Sequence, residues 1–245
     1  MTNAAGLGIY PASVHVTLSV FMFLTGIGFG IYYLSAQKDF EQLKKNTELK
    51  LYIIITAFSA IILLPFLGRE SGFSAISFLT STGFFADNLR HNAPGFAVVW
   101  LLILSFIGPA ALSVGGGIGL TRFAVLGKLL GRSFVIKLHP SAVKVIKLDK
   151  KPQPSAMINS MLSYVLLYTA LIMAGSFLIS FGCDSMDAAI TSSLGLVNNL
   201  GLYSSAECIK NCFCDFNVFT KAVMCLLMIA GRLNIYALFF IGKKK

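Results

Sequence analysis

The chain has 245 residues, of which 56% are hydrophobic and 12% charged. A soluble domain is usually about 45–50% apolar and about 25% charged, so a soluble globular protein is excluded and a polytopic membrane protein is expected. The net charge of +10 would suit a nucleic-acid partner, but its distribution argues for membrane topology, and the chain carries no phosphate loop, nucleotide fingerprint or nucleic-acid motif.

In chain order, Met1 opens directly on the turn Asn3-Ala4-Ala5-Gly6-Leu7, with no basic n-region or small-residue cleavage site. A re-entrant loop needs a half-helix before its turn, so the chain is expected to begin inside a structural unit. Apolar segments follow at 12–36, 49–67, 94–127, 157–181 and 216–242, each near or above the roughly 20 residues that cross a bilayer as a helix. Between the second and third lies Gly72–Leu79, and between the fourth and fifth lies Ser185–Val197. Both are too short to span and suit re-entrant half-helices.

Each half-helix leads into a turn, Thr80-Ser81-Thr82-Gly83-Phe84 and Asn198-Asn199-Leu200-Gly201-Leu202. Aligned on their glycines, these match the turn at Gly6, with Asn3, Thr80 and Asn198 three residues earlier. The expected fold is therefore an all-α polytopic membrane protein of helix–pore-loop–helix repeats, two complete and one partial. Residues 1–48 hold a partial repeat and a linker, 49–127 a complete repeat, 128–156 a cytoplasmic connection and 157–245 a second complete repeat.

Basic residues set the orientation. Lys38, Lys44, Lys45 and Lys50 lie in the first connection. Arg122, Lys128, Arg132, Lys137, Lys144, Lys147, Lys150 and Lys151 lie in the second, and Lys243, Lys244 and Lys245 end the chain. The positive-inside rule places these in the cytoplasm and opens the glycine turns to the outside. Topology alone accounts for the clusters; anionic lipid or a cytoplasmic partner is an additional reading. Within the second connection, the alternation from Leu138 to Leu148 reads as a short hairpin or amphipathic strand pair at the membrane surface, and Asp149-Lys150-Lys151-Pro152 as a turn.

A dehydrated cation needs its water oxygens replaced, and converging backbone carbonyls do this. Broken backbone survives inside a membrane only where it lines a cavity, and glycine permits the turn. Half-helices that descend from outside would aim their partly negative C-termini at the ion. Candidate ion-contacting residues are Asn3, Ala4, Ala5, Gly6, Thr80, Ser81, Thr82, Gly83, Asn198, Asn199, Leu200 and Gly201. The side chains of Thr80, Ser81, Thr82, Asn198 and Asn199 are available to brace the loops. Taken singly, each is equally an ordinary polar turn residue.

Pro109 and the run from Gly115 to Gly119 are expected to break the third apolar segment. Gly115, Gly116 and Gly117 then form a mobile obstruction under the turns, a kink for close packing, or simply the cytoplasmic end of the helix. Arg232 interrupts the last segment, and a guanidinium there costs about 2.5–3.5 kcal/mol or more. Carbonyls freed by the broken glycine stretch are its natural partner; snorkelling to the cytoplasmic face is the alternative.

Cys208, Cys212 and Cys214 cluster in one connection, with Cys183 on the same side and Cys225 in the last helix. Their spacing is a weak zinc pattern, and a disulfide or unpaired thiols fit equally. His15, His91 and His139 are scattered, with no metal site or catalytic pair among them. A membrane enzyme built on the cysteines would have only Glu207 and Asp215 to assist it, and no enzymatic activity is expected.

Taken together, these motifs resemble the Trk/Ktr/HKT potassium-transporter superfamily, most closely its TrkH/KtrB-type pore subunits. Phe21-Met22-Phe23-Leu24-Thr25-Gly26-Ile27-Gly28-Phe29 resembles the family's helix after its second pore loop. The turns at Gly83 and Gly201 resemble its third and fourth filters. Leu138-His139-Pro140-Ser141-Ala142-Val143 is similar to its cytoplasmic L-H-P-x-A-V segment, and Gly231-Arg232-Leu233 to its G-R-L-E. The resemblance implies potassium uptake through a pseudo-fourfold pore in the bacterial inner membrane, dimeric subunits and a cytoplasmic nucleotide-binding regulatory ring. It implies no cofactor, potassium being the cargo. Gly115 to Gly117 would belong to an intramembrane gate loop that Arg232 holds shut.

The chain departs from the family at Asn234, where an acid is usual, at Gly201-Leu202-Tyr203, where G-P-G is usual, and in carrying two units and a fragment rather than four. Missing units would come from another chain. The competing reading is a non-transporting remnant of a divided gene.

Overall fold

In the computed structural model of the chain, residues 10–84, 94–139, 146–148, 151–182, 185–200 and 216–232 are described. Ten α-helices appear among them: α1 (Ala12–Thr25), α2 (Phe29–Ala36), α3 (Phe40–Lys45), α4 (Thr47–Leu67), α5 (Ser71–Leu79), α6 (Gly95–Ile107), α7 (Leu120–Leu138), α8 (Ser155–Ser180), α9 (Met186–Val197) and α10 (Val218–Arg232). Lys147–Leu148 pairs antiparallel with Lys151–Pro152 in a two-residue ladder, so the hairpin's second strand lies beyond the Leu138–Leu148 stretch expected to form it; residues 140–145 of that stretch lie outside the described residues.

Burial runs opposite to that of a soluble protein. Ile61, Met173 and Phe177 are 68%, 70% and 66% exposed, while Ser74, Ser77, Ser105, Ser192 and Ser193 are fully buried. Large apolar side chains facing outward around a hydroxyl-lined interior describe a protein whose solvent is lipid. Two stretches, Thr47–Leu79 and Ser155–Ser180, are long and apolar enough to cross a bilayer, and α1 with α2 makes a third if that bent pair is one span.

Two of the apolar segments are not single helices: the first is bent unexpectedly, and the third is broken where Pro109 and the glycine run predict. Residues 12–36 bend by 86° between α1 and α2. At this corner the Ala110 amide donates to the Gly26 carbonyl (3.2 Å) and the Phe29 amide to the Leu112 carbonyl (3.1 Å). The corner is therefore fixed by a distant segment rather than by local pattern. Residues 94–127 are interrupted from Gly108 to Gly119, and α7 then runs on to Leu138, well into the stretch expected to be a connection.

α4 starts on an Asn46 cap, whose Oδ1 accepts from the Glu48 and Leu49 amides at 2.9 and 3.1 Å. It ends at Gly68, at φ +56°. The chain then doubles back, and α5 packs along α4 and against α6. Its far end, Thr80, crowds Gly26 together with the Tyr52 hydroxyl, which lies near the start of α4 and donates to the Phe23 carbonyl (3.0 Å). The second unit repeats the plan, with α9 packed between α8 and α10. Ser193 ties α9 to α8 by donating to the Ile172 carbonyl (2.8 Å). One core cluster joins Tyr52, Leu63, Phe78, Leu101 and Leu200. The other joins Ile118, Tyr168, Leu196, Val223 and Leu227. Leu200 and Ile118 each carry one unit into the other's neighbourhood.

Candidate functional site

The two half-helices end in the same way. Thr80 has φ −83° and ψ 0°, and Asn198 has φ −83° and ψ −3°. The next residues, Ser81 and Asn199, are left-handed at φ 56° and 55°. Thr80, Ser81 and Thr82 amides donate to Ile76, Phe78 and Ser77 carbonyls, as Asn198, Asn199 and Leu200 amides donate to Leu194, Leu196 and Gly195. The Ser81 and Thr82 bonds, like those of Asn199 and Leu200, form the pair of closures of a Schellman cap. Neither left-handed residue is glycine, a choice that costs roughly 1–2 kcal/mol each. Packing around both turns holds them there.

The turns touch each other. Gly83 sits at φ +77°, and a Cβ there would collide with the Leu200 carbonyl. Both turns also rest on the interrupted segment. A Cβ on Gly115 would lie 2.8 Å from the Thr80 carbonyl oxygen, and one on Gly116 would lie 2.8 Å from that of Asn198. Consecutive Cα atoms are about 3.8 Å apart, so the C-terminal ends of α5 and α9 converge on adjacent residues. Two partly negative helix ends aimed at one place favour a cation there.

The interrupted segment is a closed loop rather than a kink. Ile118, Gly119 and Leu120 amides donate to Phe106, Ile107 and Pro109 carbonyls at 3.2, 2.9 and 3.0 Å, so both ends meet, as in a compact Ω-loop. Arg232 Nη1 donates to the Val114 carbonyl at 3.0 Å, immediately before the glycine run. Arg122 Nη1 turns to the Ile118 carbonyl (2.8 Å), and its guanidinium stacks 3.8 Å from the centre of the Tyr164 ring.

Bracing differs between the turns. Asn198 is 1% exposed. Its Oδ1 accepts from the Tyr168 hydroxyl, and its Nδ2 donates to Ser105 O (3.0 Å) and Oγ (2.8 Å). Thr80 and Thr82 hydroxyls pair at 2.8 Å. Ser77 Oγ accepts from the Phe84 amide (2.8 Å) and donates to its carbonyl (2.9 Å). Among the described residues the Asn199 side chain makes one long bond, to the Met228 carbonyl (3.4 Å). Among the described residues the Ser81 hydroxyl has no hydrogen-bond partner.

Of the residues expected from sequence, Thr80, Ser81, Thr82, Gly83, Asn198, Asn199 and Leu200 gather with Gly115, Gly116 and Gly117, and Arg232 reaches the same loop. Asn3, Ala4, Ala5, Gly6 and Gly201 lie outside the described residues, as do Cys183, Cys208, Cys212 and Cys214. Among the described residues no cluster of metal-ligating side chains is found. Sequence reasoning missed Tyr168, Ser105, Ser77 and Glu48. Glu48 Oε1 accepts from the Ala111 amide (2.6 Å) and the Thr121 hydroxyl (2.5 Å). An acid in the first turn of a spanning helix was its only signal.

Paired half-helices, with matched ends meeting over a loop that breaks a third helix, define an all-α membrane protein built from repeated helix–half-helix–helix units. Comparison with known proteins makes this specific. The family of cation transport proteins called TrkH matches residues 68–244, and the chain belongs to that family. It is 25% identical to the Trk system potassium uptake protein TrkH of Salmonella typhimurium, an alignment covering 97% of this chain and 51% of the relative. It is 28% identical to the Trk system potassium uptake protein TrkG of Escherichia coli K12, covering 91% and 48%. The crystal structure of the potassium transporter TrkH from Vibrio parahaemolyticus superposes with a TM-score of 0.84 at 25% identity, covering 98% of this chain and 54% of that one. The chain thus spans about half the length of the relatives it matches.

Proposed function

We propose that this chain forms part of a potassium-uptake pore in the bacterial inner membrane. The observation that carries the reading is the meeting of the Thr80–Gly83 and Asn198–Leu200 turns directly over Gly115 and Gly116. In this reading the turn carbonyls replace the ion's water, and potassium is cargo rather than cofactor. The loop from Gly108 to Gly119 obstructs the path below them, and Arg232 holds it closed through Val114. Residues 3–6 supply a further turn of the ring, and the part of the family's length that this chain does not span completes it. Dimeric assembly and a cytoplasmic nucleotide-binding regulator follow from kinship with the family alone.

The test is complementation of a potassium-uptake-deficient strain by this chain, alone and together with the N-terminal repeats of a TrkH-type subunit. Growth on low potassium with both, and with neither alone, supports the reading. No growth in either case, with the chain present in the membrane, favours a non-transporting remnant.

A further inference from the structure

Arg232 holds the interrupted loop by a carbonyl. Its counterpart on the amide side lies elsewhere in the chain. The Glu48 carboxylate stands in the first turn of α4, where the helix macrodipole favours an anion. The same oxygen reaches across to α7 and the loop, accepting from the Ala111 amide (2.6 Å) and the Thr121 hydroxyl (2.5 Å). These partners lie on opposite limbs of the loop. α7 begins at Gly119, which has no side chain to cap it, so Thr121 and Glu48 supply a side-chain contact where the sequence offers none.

The connection continues toward the basic linker. The Glu48 amide is bonded to Asn46 Oδ1 at 2.9 Å. Asn46 also ends α3, which is started by Asp39 accepting from the Gln42 amide (3.3 Å). The residue whose carboxylate bridges both limbs of the loop is therefore held, by its own backbone amide, on the asparagine that closes the linker helix.

We propose that Glu48 is a positioning residue that locks the Gly108–Gly119 loop in place through Ala111 and Thr121, coupling the loop to the linker that precedes α4. The part of this that concerns ion flow rests on the pore reading above; the mechanical part does not. A carboxylate accepting two hydrogen bonds is a charge-assisted contact, stronger than its neutral equivalent. Its loss should loosen the loop by about tenfold in local opening.

The experiment places a reporter cysteine at Ala110, which is 4% exposed, in the full chain with its five native cysteines changed to serine. The rate of labelling by a membrane-permeant maleimide is measured in membranes. Glu48→Ala is expected to raise that rate about tenfold. Thr121→Val should raise it less, and Glu48→Gln, whose amide oxygen still accepts, least. In the complementation strain supplied with the N-terminal repeats, Glu48→Ala should raise maximal potassium uptake and leave the half-saturating concentration unchanged. Labelling rates for Glu48→Ala, Glu48→Gln and Thr121→Val all within twofold of the parent, at equal membrane abundance, overturn the proposal. If Glu48→Ala fails to accumulate, the other two variants decide between the same outcomes. Faster labelling with unaltered uptake upholds Glu48 as the lock and counts against the loop as an obstruction to ions.

Discussion

The Asn198 side chain makes three hydrogen bonds to described residues at the meeting of the two units. Asn198→Ala leaves the Tyr168 and Ser105 hydroxyls without their partner, at a place where Asn198 and Tyr168 are 1% and 2% exposed. A buried polar group stranded in this way costs about 1–3 kcal/mol, so the two together cost about 2–6 kcal/mol. Tyr168→Phe alone strands only the Asn198 Oδ1 and should cost about 1–3 kcal/mol. In the double variant neither the Tyr168 hydroxyl nor the amide remains to be stranded. Only the Ser105 hydroxyl is then stranded, and the loss should fall short of the sum of the single losses by about 2–6 kcal/mol. Equilibrium unfolding in mixed detergent micelles, read by the fluorescence of Trp100, measures all four corners of the cycle. Additivity within about 0.5 kcal/mol would refute the claim that this bond fixes the end of α9 against α8.

Further expectations concern the loop and the first turn. Gly116→Ala places a methyl against the Asn198 backbone, which cannot yield without moving α9, and should cost about 1–3 kcal/mol of stability. Gly127→Ala, with open space around it, should be neutral or stabilise by up to about 1 kcal/mol; unfolding of both variants tests the contrast. Arg232→Ala frees the Val114 carbonyl and should raise basal rubidium uptake in the complemented strain, with Arg232→Lys between it and the parent. Ser77→Ala strips both bonds from Phe84 and should lower discrimination between potassium and sodium in competition uptake, while membrane abundance is unchanged.

Much of the architecture was legible because turn chemistry and helix length are local properties. The half-helices α5 and α9, the break after Ile107 and a carbonyl partner for Arg232 all followed from Gly, Pro and charge placed in apolar surroundings. The 86° bend between α1 and α2 did not. Its cause is a pair of hydrogen bonds to Ala110 and Leu112, which no window around Gly26 contains. α7 was cut short at 127 because its basic residues read as a connection; lysines on a helix that leaves the membrane look the same as lysines in a loop. Spanning helices that are apolar all round give no face to read, so the approach of Tyr168 and Ser105 to Asn198 was invisible. In sequence Glu48 is one acid beside a basic linker, and only the fold brings Ala111 and Thr121 to it.

The central claim is that the Thr80–Gly83 and Asn198–Leu200 turns are neighbouring parts of one ion-binding ring. Crystals of the chain assembled with its N-terminal repeats, soaked in rubidium and recorded at the rubidium absorption edge, test it directly. The account predicts anomalous density flanked by the backbone carbonyls of both turns, above Gly115 and Gly116. Rubidium bound only elsewhere, with these turns empty in a preparation that transports, would contradict it.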